Sequence, residues 1–529
     1  MDEILSWLKL ADKFADDGNA EAMLGAAQEI LALDENSTDG RAVLAEANLY
    51  LGNFADAEKF APDNLRGRLV KGGIAAETFQ ILDAIKILSG VIAEARSTGD
   101  KKILHKALTW SANPLYLAGD AQAAAENLRE ASALTANVER AAELFSKHLF
   151  LSNYSAPADK SVARLYDNFF AGVERYAETF SHDKIRVGYI SPDFRQHAVA
   201  NFVAPLLNDF DAESFEVTAY QTGASDFVTE LLKSNKINWR DLSGVDADTA
   251  ARIIHADEID ILFDLSGHTQ NSSLPILARK PAPVQICGIG YNATTGLSAV
   301  DYFLSAAAGE NFTEKVLRVE DCPLCYAPVL EVPAAAHVEN NSVTFGSFNN
   351  FAKVGDGVIK LWREILGAVE NSRLVVKGKI CSIPDGREIV SSRLKNLPVE
   401  LRPYSRDYLE QYNGIDIALD AFPYNGGATT CEAIFMGVPV IVLSGGLGAS
   451  ILPAAGLTEF IARDCAEYVR KAVELARRKD LLAEYHETLR EKVARSRLMD
   501  GKKYMRGLEK IYREIYQSKK IWRGGNFLN

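Results

Sequence analysis

The chain has 529 residues, of which 47% are hydrophobic and 24% are charged, so it has enough apolar side chains for several buried cores. At roughly 150 residues per domain, this length predicts about three domains. The net charge of −13 argues against a nucleic-acid-binding surface as the main feature, because such surfaces are basic, and leaves room for a local basic pocket. The acidic start after Met1 and the lack of an apolar run of about 18 residues predict a cytoplasmic protein without a membrane span.

Residues 1–150 are predicted to form an all-α domain, because Ala, Leu and Glu are frequent and apolar residues recur at helical spacing. Gly18, Gly52 and Gly119 each follow a helical stretch and precede an Asn or an Asp. The first two glycines are 34 residues apart, and the third lies about twice that distance further on. This period resembles the tetratricopeptide repeat (TPR), whose stacked helix pairs leave a concave face for extended peptide. A plain helical bundle that only supports a catalytic part is the alternative.

The composition changes after residues 151–183, which are predicted to form a linker helix. Over residues 184–330, short β-branched or aromatic runs alternate with helical stretches, the pattern of a parallel sheet covered on both faces. The strands predicted in this Rossmann-like half are Ile185–Ile190, Phe215–Tyr220, Ile259–Asp264, Val284–Cys287 and Asp301–Leu304.

A second Rossmann-like half is predicted over residues 341–517, after a Pro- and Ala-rich linker and before a tail at 518–529. Its predicted strands are Val343–Gly346, Arg373–Lys377, Ile415–Leu419 and Val438–Leu443. Two such halves in tandem place ligands in the crevice between them, at the carboxyl ends of the strands.

The stretch Asp420–Glu432 joins a predicted strand to a predicted helix through a loop of small residues. Gly426 and Gly427 allow the backbone to approach a ligand, and Thr429 and Thr430 open the helix. The free amides and the dipole at a helix start favour negative charge, so the stretch predicts a phosphate site. An ordinary strand–helix turn is the alternative.

Three more side chains are predicted to stand at strand ends facing the crevice, namely His197, His268 and Lys353. A histidine there can move protons near neutral pH, and a lysine there can neutralise a diphosphate. A structural role in a loop is the alternative for both histidines, and an ordinary surface position is the alternative for the lysine. The histidines on polar helical stretches are expected to be solvated: His105, His148, His182 and His486.

Several catalytic motifs are missing from the sequence. It contains no P-loop, no Gly-x-Ser-x-Gly elbow and no His-Glu-x-x-His helix. The Cys-x-x-Cys pair at Cys322 has no second pair or histidines at zinc-binding spacing, and Gly288–Gly290 is a poor dinucleotide fingerprint. These observations exclude a P-loop nucleotidase and argue against a zinc hydrolase and a dinucleotide enzyme.

Taken together, the segments resemble the catalytic region of protein O-linked N-acetylglucosamine transferases, the SPINDLY-like and bacterial glycosyltransferases of family 41. The motifs that carry this resemblance, from about Asn153 to Tyr516, are Ile185–His197, Asp264–Thr269, Arg279–Gln285, Gly290–Gly296 and Asp420–Gly437. The resemblance implies an α/β GT-B fold of two tandem Rossmann-like domains, preceded by an all-α TPR-like domain. It also implies a nucleotide-sugar donor, inversion at the anomeric carbon, and neither cofactor nor catalytic metal.

The resemblance also implies roles for single residues. His197 matches the active-site histidine, Lys353 the lysine on the donor diphosphate, and Glu432 the acidic residue that holds the ribose. The remaining positions are Asn350 beside the nucleobase, Gly426, Gly427, Ala428, Thr429 and Thr430 around the diphosphate, and His268, Gly290 and Tyr291 on the sugar and acceptor side.

Three positions depart from the pattern of the family. Tyr408 stands where many members have a histidine against the uracil, although its ring can still stack there. Gly427-Ala428 replaces a His-Thr pair, which removes an imidazole and a hydroxyl from the phosphate region. Ile451 stands where an arginine is common. These departures leave the identity of the sugar open.

The resemblance implies a cytoplasmic enzyme that moves a hexose, first of all N-acetylglucosamine from UDP-GlcNAc, to Ser or Thr of an acceptor protein. The acceptor, for which flagellin or another bacterial surface protein is one option, is expected to bind along the TPR-like domain and the cleft. Transfer of glucose to Asn and a TPR scaffold with a decayed transferase domain are the alternatives. The sequence leaves the oligomeric state open, including a homo-oligomer.

Overall fold

The computed structural model describes residues 2–177, 180–233, 236–307, 309–320, 322–338 and 342–524. The chain divides into two compact units. The first comprises Met1–Ser152 and Ile380–Arg393, and the second comprises Asn153–Lys379 and Leu394–Asn529. Among the described residues, no helix combines the length and the apolar character that a membrane crossing requires.

The first unit is built from helices that pack on their neighbours along the chain. They are α1 (Asp2–Asp16), α2 (Ala20–Leu33), α3 (Thr38–Tyr50), α4 (Phe54–Phe60), α5 (Leu65–Glu77), α6 (Ile81–Thr98), α7 (Lys101–Leu117), α8 (Ala121–Leu134) and α9 (Val138–Ser152). The predicted all-α character of this region is confirmed, and the packing of each helix on the next is typical of a helical repeat protein.

The recurring glycine pairs have a clear backbone function. Gly18, Gly52 and Gly119 have φ angles of 70°, 76° and 85°, the left-handed conformation that commonly ends a helix. The polar residue that follows can then cap the next helix. Asn19 accepts a hydrogen bond from the Ala22 amide, and Asp120 accepts one from the Ala123 amide. The sequence period therefore marks helix ends.

The core of the first unit contains one buried charged cluster. Glu46 on α3 is fully buried and forms ion pairs with Arg66 at 2.8 Å and with Lys106. Burial alone would raise the pKa of Glu46, but the charges of Lys106 and Arg66 lower it to about 2. The two cations thus keep the carboxylate ionised between α3, α5 and α7.

The second unit begins with a short linking segment and the first sheet. Within the linker helix predicted over residues 151–183, the structure has a short helix, α10 (Lys160–Ala163), continued by a 3₁₀-helix (Arg164–Phe170), so the helical part is shorter than predicted. The strands that follow are β1 (Ile185–Ser191), β2 (Phe215–Gln221), β3 (Asn238–Asp241), β4 (Ile261–Asp264), β5 (Val284–Gly288), β6 (Tyr302–Leu304) and β7 (Lys315–Leu317). The intervening helices are α11 (Ala200–Asn208), α12 (Phe227–Leu232), α13 (Ala247–Ala256) and α14 (Leu274–Leu277).

The second sheet and its helices occupy the rest of the chain. The strands are β8 (Thr344–Ser347), β9 (Arg373–Lys377), β10 (Val399–Arg402), β11 (Ile417–Leu419), β12 (Val440–Leu443) and β13 (Ile461–Ala462). The helices are α15 (Asp356–Ala368), α16 (Pro384–Arg393), α17 (Ala428–Phe435), α18 (Gly448–Ala454), α19 (Cys465–Ala476), α20 (Lys479–Ala494) and α21 (Gly501–Gly524).

Both sheets have Rossmann topology. The strand order is β3-β2-β1-β4-β5-β6-β7 in the first sheet and β10-β9-β8-β11-β12-β13 in the second, and the paired strands are parallel. In each sheet the order reverses beside the first strand, β1 or β8, which is where such folds bind ligands. The predicted fold of two tandem Rossmann-like halves behind a helical region is confirmed.

Helix α21 returns from the second half to the first. It packs on α11, and the Tyr512 hydroxyl lies 3.3 Å from that of Tyr189 on β1. The Glu509 carboxylate accepts a hydrogen bond of 2.7 Å from the Asp211 amide. Of the tail predicted at 518–529, residues up to Gly524 continue α21, and residues 525–529 lie outside the described part of the chain.

Helix α16 belongs to the first unit although it connects β9 to β10 of the second sheet. It packs on α6, whose N-cap residue Gln80 makes no side-chain cap. Instead, Asp385 at the start of α16 accepts a hydrogen bond of 3.1 Å from the Leu82 amide in the first turn of α6. The cap of α6 therefore comes from a residue about 300 positions further along the chain.

Two of the histidines expected to be solvated are buried instead. His148 is 7% exposed, and its Nδ1 lies 2.9 Å from the Ala125 carbonyl oxygen. His486 is 8% exposed, and burial lowers its pKa to about 4. The expectation was wrong because each imidazole lies on the inner face of its amphipathic helix, where a backbone carbonyl satisfies one ring nitrogen.

Candidate active site

The loop after β11 is organised by Asp420. This residue is 1% exposed, and its Oδ1 accepts hydrogen bonds from the Ala421 amide at 2.9 Å, the Gly426 amide at 2.8 Å and Asn349 Nδ2 at 3.0 Å. Burial raises the pKa of Asp420 to about 6, although these hydrogen bonds and Lys353 oppose the shift. The carboxylate thereby folds residues 421–426 back toward the start of α17.

Helix α17 begins at the end of this loop without a side-chain cap. Its N-cap residue is Gly427, and Cys431 is the first residue whose amide bonds back to the Gly427 carbonyl. The amides of residues 428–430 therefore lack an intrahelical partner and give the helix start a partial positive charge. The Thr430 hydroxyl donates to the Gly426 carbonyl at 3.1 Å, and the Thr429 hydroxyl donates to Asn349 Oδ1 at 3.0 Å. The helix start is thus fixed in place and suited to an anion.

Lys353 reaches the same loop from the end of β8. Its Nζ donates a hydrogen bond of 3.3 Å to the Asn425 carbonyl. The ammonium also lies 4.8 Å from the ring centroid of Tyr424 and 5.9 Å from that of Tyr154, a cation–π arrangement. Burial lowers the pKa of Lys353 to about 8, and the charge of Asp420 opposes this shift. The structure therefore brings Lys353 and the loop before Thr429 together.

A cavity of about 300 Å³ lies beside this loop, between the two Rossmann-like halves. The Tyr424 hydroxyl from the second half is hydrogen-bonded to the Asn292 backbone of the first half. From the first half and the linking segment, the cavity is lined by Asn153, Ala156–Ala158, Asn292–Thr294, Ala307, Asn311 and Phe312. From the second half it is lined by Phe422–Asn425 and Leu443–Leu447.

His197 lies after β1, with a side chain that is 42% exposed. Its Nδ1 is 3.5 Å from the Asp193 carboxylate, which is buried, and 3.4 Å from the Val199 amide nitrogen. The Val199 amide donates to Nδ1, so the neutral ring carries its proton on Nε2, and the charge of Asp193 favours the doubly protonated ring. Burial lowers the pKa of His197, Asp193 opposes this shift, and the nearby ammonium of Lys379 from the second half adds to it. His197 therefore lies where the two halves approach each other.

The predicted residues on the sugar and acceptor side are less accessible than expected. His268 is 1% exposed, and its Nε2 lies 2.8 Å from the Thr295 carbonyl oxygen. Its ring is edge-on to Tyr166 and to Tyr291, which is itself 2% exposed. His268 therefore supports the first half from inside and does not open into the cleft. Gly290 is needed for packing, because a Cβ there would lie 2.2 Å from the Leu265 carbonyl oxygen.

On the predicted nucleoside side, two residues are joined by a short hydrogen bond. The Tyr408 hydroxyl donates to Glu432 Oε1 at 2.6 Å, and Glu432 is 5% exposed. Burial raises the pKa of Glu432 to about 7, and the hydrogen bond from Tyr408 limits the shift. Asn350 is exposed at the start of a 3₁₀-turn, where its side chain accepts from the Ala352 amide at 3.1 Å.

Two other residues that differ from the family pattern, Ala428 and Ile451, lie in helices that start near this loop. Ala428 is the first residue of α17, and its methyl group leaves the helix start uncovered by any polar side chain. Ile451 is fully buried in α18, so it contributes to the core beneath the cavity rather than to its polar lining.

Sequence reasoning missed four residues that shape this site, namely Tyr154, Tyr424, Asn349 and Asp420. The first two form the aromatic surround of Lys353, and their ring centroids are 5.3 Å apart although they are far apart in the sequence. Asp420 and Tyr424 were inside the loop singled out from the sequence, where a buried acid directly after a strand is a recognisable signal. No local pattern marks Tyr154.

Two parallel Rossmann-like sheets that face a shared cleft, with an anion-suited helix start at the end of a second-sheet strand, define a GT-B type of protein. Residues 170–316 and 305–508 match the sequence model of "Glycosyl transferase family 41". The chain therefore belongs to glycosyl transferase family 41. The predicted family is confirmed.

Curated relatives include plant SPINDLY proteins, named as probable UDP-N-acetylglucosamine–peptide N-acetylglucosaminyltransferases. The Solanum lycopersicum protein is 37% identical over 360 residues, which cover 63% of this chain and 38% of the relative. The Arabidopsis thaliana protein is 37% identical over 362 residues, which cover 63% of this chain and 39% of the relative. The chain thus spans less than two fifths of the length of these relatives.

One solved structure is similar to this protein over almost its whole length. A mutant of the Thermobaculum terrenum O-GlcNAc transferase is 26% identical, with a TM-score of 0.73 over 98% of both chains. The likeness includes the helical region as well as the two Rossmann-like halves, so it confirms the predicted fold class.

Proposed function

We propose that this protein is an inverting glycosyltransferase that moves N-acetylglucosamine from UDP-GlcNAc to Ser or Thr of an acceptor protein. One observation carries the proposal: Lys353 and the uncapped start of α17 converge on the loop that follows β11, beside a cavity between the two halves. The names of the plant relatives support the same donor and reaction, and the name of the Thermobaculum protein supports transfer of the same sugar.

The chemistry of the proposed step depends on stabilising a leaving diphosphate. The acceptor hydroxyl oxygen attacks the anomeric carbon from the face opposite the UDP, and the bond from that carbon to the β-phosphate oxygen breaks. The charge that develops on the diphosphate is then stabilised by the Lys353 ammonium and by the amides of residues 428–430. The hydroxyl proton passes to the imidazole of His197, whose neutral ring is favoured by a lowered pKa.

Within this proposal, Glu432 accepts a hydrogen bond from a ribose hydroxyl and Tyr408 stacks on the base. The 2.6 Å hydrogen bond between them supports a shared role, because Tyr408 bonds to Oε1 of Glu432 and thereby holds the carboxyl group in position. The other carboxyl oxygen can then accept the hydrogen bond from the ribose. The helical first unit holds acceptor peptide in this scheme, as helical repeats commonly do.

The proposal is tested by incubating the full chain with a panel of UDP-sugars and candidate acceptors and analysing the products by mass spectrometry. We expect a mass increase of one N-acetylhexosamine on Ser or Thr. Glucose on Asn would replace the proposal with the N-glucosyltransferase alternative. No transfer together with no UDP binding would favour the scaffold alternative.

A matched pair of variants tests the proposed diphosphate contact. Lys353→Met keeps the length of the side chain but removes its charge, and we expect at least ~100-fold slower transfer with an unchanged fold, in line with the loss of one oxyanion stabiliser. Lys471→Met in α19 is the control, since Lys471 contacts the Glu459 carbonyl and the Glu467 carboxylate, and neither residue belongs to the candidate site. Equal activity of both variants would contradict the assignment of Lys353.

A further inference from the structure

A second cluster of chemically active side chains lies at the other end of β11. Asp416 precedes this strand and Asp420 follows it, so at about 3.3 Å per residue the two are roughly 13 Å apart. Beside Asp416 lie His337, from the segment that leads into the second sheet, and His486 on α20. One potential ligand atom from each of the three side chains lies within 4.8 Å of the other two.

The cluster has a defined geometry. The rings of His337 and His486 stack with their centroids 3.5 Å apart and their planes 2° from parallel. Asp416 Oδ1 lies 3.2 Å from His337 Nε2 and 3.9 Å from His486 Nε2. Its other oxygen accepts a hydrogen bond of 2.7 Å from the Thr344 amide. This bond fixes the carboxylate so that Oδ1 faces both rings.

One imidazole presents a free lone pair to this space. His486 Nδ1 lies 2.9 Å from the Gly437 carbonyl oxygen, so that nitrogen carries the proton and donates it. His486 Nε2 is then an acceptor. Among the residues that the structure describes, neither this nitrogen nor the buried His337 Nδ1 has a hydrogen-bond partner. A buried unpaired acceptor costs folding free energy. A histidine whose N–H is held by a backbone carbonyl is also the usual arrangement of a metal ligand.

We propose that His337, Asp416 and His486 bind a divalent transition-metal ion, with Zn²⁺ as the expected occupant. Two imidazoles and one carboxylate are typical zinc ligands, whereas Ca²⁺ and Mg²⁺ prefer oxygen ligands. The fourth tetrahedral position is left to water. With bonds of about 2.0–2.1 Å, tetrahedral ligand atoms are about 3.3 Å apart, so the 3.2 Å separation of Asp416 and His337 is already suitable and His486 Nε2 moves closer. The stacked rings open so that both lone pairs point to one ion.

The position of the cluster indicates a structural role for the ion. The segment that carries His337 is already attached to the second half through Asn413, whose side chain accepts from the Ala336 amide at 2.9 Å and whose carbonyl accepts from the Val338 amide at 2.8 Å. Arg490 on α20 donates to the Pro333 carbonyl at 2.6 Å. An ion here would fasten the same segment to β11 and α20, at the end of the sheet away from the candidate diphosphate site.

The site is tested on the full chain, stripped with a chelator and then titrated with Zn²⁺ and, separately, with Co²⁺. We expect one tightly bound ion per chain, a higher melting temperature with Zn²⁺, and a visible Co²⁺ spectrum of a four-coordinate site that Zn²⁺ abolishes. His337→Gln is the diagnostic variant, because the His337 side chain is 18% exposed and its loss spares the core. It should bind Zn²⁺ at least ~10-fold more weakly.

The matched control is His148→Gln in the first unit. His148 is also buried with Nδ1 against a backbone carbonyl, but it lies outside the cluster, so this variant should bind Zn²⁺ like the unaltered protein. Substoichiometric Zn²⁺, or equal affinity of the two variants, would overturn the proposal. If His337→Gln fails to fold by circular dichroism, the Co²⁺ spectrum of the unaltered chain decides, and the spectrum of hydrated Co²⁺ would overturn it. None of these measurements depends on transferase activity.

Discussion

At the residue scale, the central feature of the site is a half-buried lysine held by neutral groups. Lys353 contacts a backbone carbonyl and two aromatic rings, and burial lowers its pKa to about 8. The free energy of folding has already met the cost of removing water from this ammonium group. Its interaction with an incoming diphosphate therefore contributes more binding free energy than that of a fully solvated lysine would.

This pKa gives a prediction for UDP binding. Only the protonated Lys353 attracts the diphosphate, so the affinity for UDP should be constant well below pH 8 and fall about tenfold per pH unit above it. Calorimetric titration with UDP between pH 6 and pH 10 measures this profile. In Lys353→Met the affinity should be lower and should lack the break near pH 8. A break of equal size in that variant would assign the titration to another group.

Glu432 gives a prediction for stability. Its pKa is raised from 4.5 to about 7, so the stabilisation is complete below pH 4.5 and is lost as the pH rises through 7. Glu432→Gln should therefore be as stable as the unaltered protein at pH 4 and more stable above pH 7, by up to ~3 kcal/mol at about 1.36 kcal/mol per pKa unit. Urea denaturation at several pH values measures the difference. A difference that does not change with pH would contradict the assignment.

Single residues were predictable where their chemistry is local. The glycines and threonines of the loop before α17 and the lysine after β8 follow from strand, loop and helix signals in the sequence. The burial of His268, the pairing of Tyr408 with Glu432 and the contact between Tyr154 and Lys353 arise from packing between distant segments. No sequence spacing encodes such contacts.

At the element scale, the loop before α17 depends on close backbone approach at one glycine only. A Cβ at Gly426 would lie 2.4 Å from Thr429 Oγ1 and 2.9 Å from Asn349 Oδ1, whereas a Cβ at Gly427 would meet only the tip of Leu447 at 3.0 Å. The two adjacent glycines are therefore not equivalent.

This difference predicts the outcome of a matched pair of substitutions. Gly426→Ala should displace the threonine hydroxyls, cost about 1–3 kcal/mol of stability and weaken UDP binding by at least ~10-fold. Gly427→Ala should change both quantities little. Thermal denaturation and UDP titration measure them. If both variants lost the same stability and the same affinity for UDP, the close backbone approach at Gly426 would not be what the loop requires.

The predicted strands show what sequence patterns can and cannot reveal. The hydrophobic runs at β1, β2, β4 and β9 were recognised with nearly correct ends, because buried parallel strands are rich in branched residues. The missed strands lie toward the sheet edges or are short and polar: β3, β7, β10 and β13. Their side chains are partly exposed, so hydrogen bonding to a neighbouring strand defines them rather than their own composition.

At the scale of the whole molecule, the first unit is not a separate segment of the chain. Helix α16 belongs to it but lies between β9 and β10, and Asp385 caps α6. No sequence signal indicates this arrangement, since a cap is recognised only within a few residues of its helix. The domain order from helical region to second sheet was nevertheless readable from composition alone.

The cap gives a prediction for the stability of the first unit. Asp385→Ala removes the acceptor of the Leu82 amide and should cost about 0.5–1 kcal/mol, the lower part of the range for helix caps because the contact is exposed. Asp385→Asn keeps an acceptor and should cost less. Chemical denaturation followed by helical circular dichroism measures both variants. A loss of equal size in the two would assign the effect to charge rather than to capping.

The return of α21 onto the first sheet has a mechanical consequence. Because this helix packs on α11 and Tyr189, the polypeptide crosses between the Rossmann-like halves twice, once before β8 and once before α21. Two bodies that are joined at two points can rotate about the axis through those points, whereas twisting and sliding between them are resisted. Rotation of one half relative to the other is therefore restricted to this axis by the two crossings of the chain.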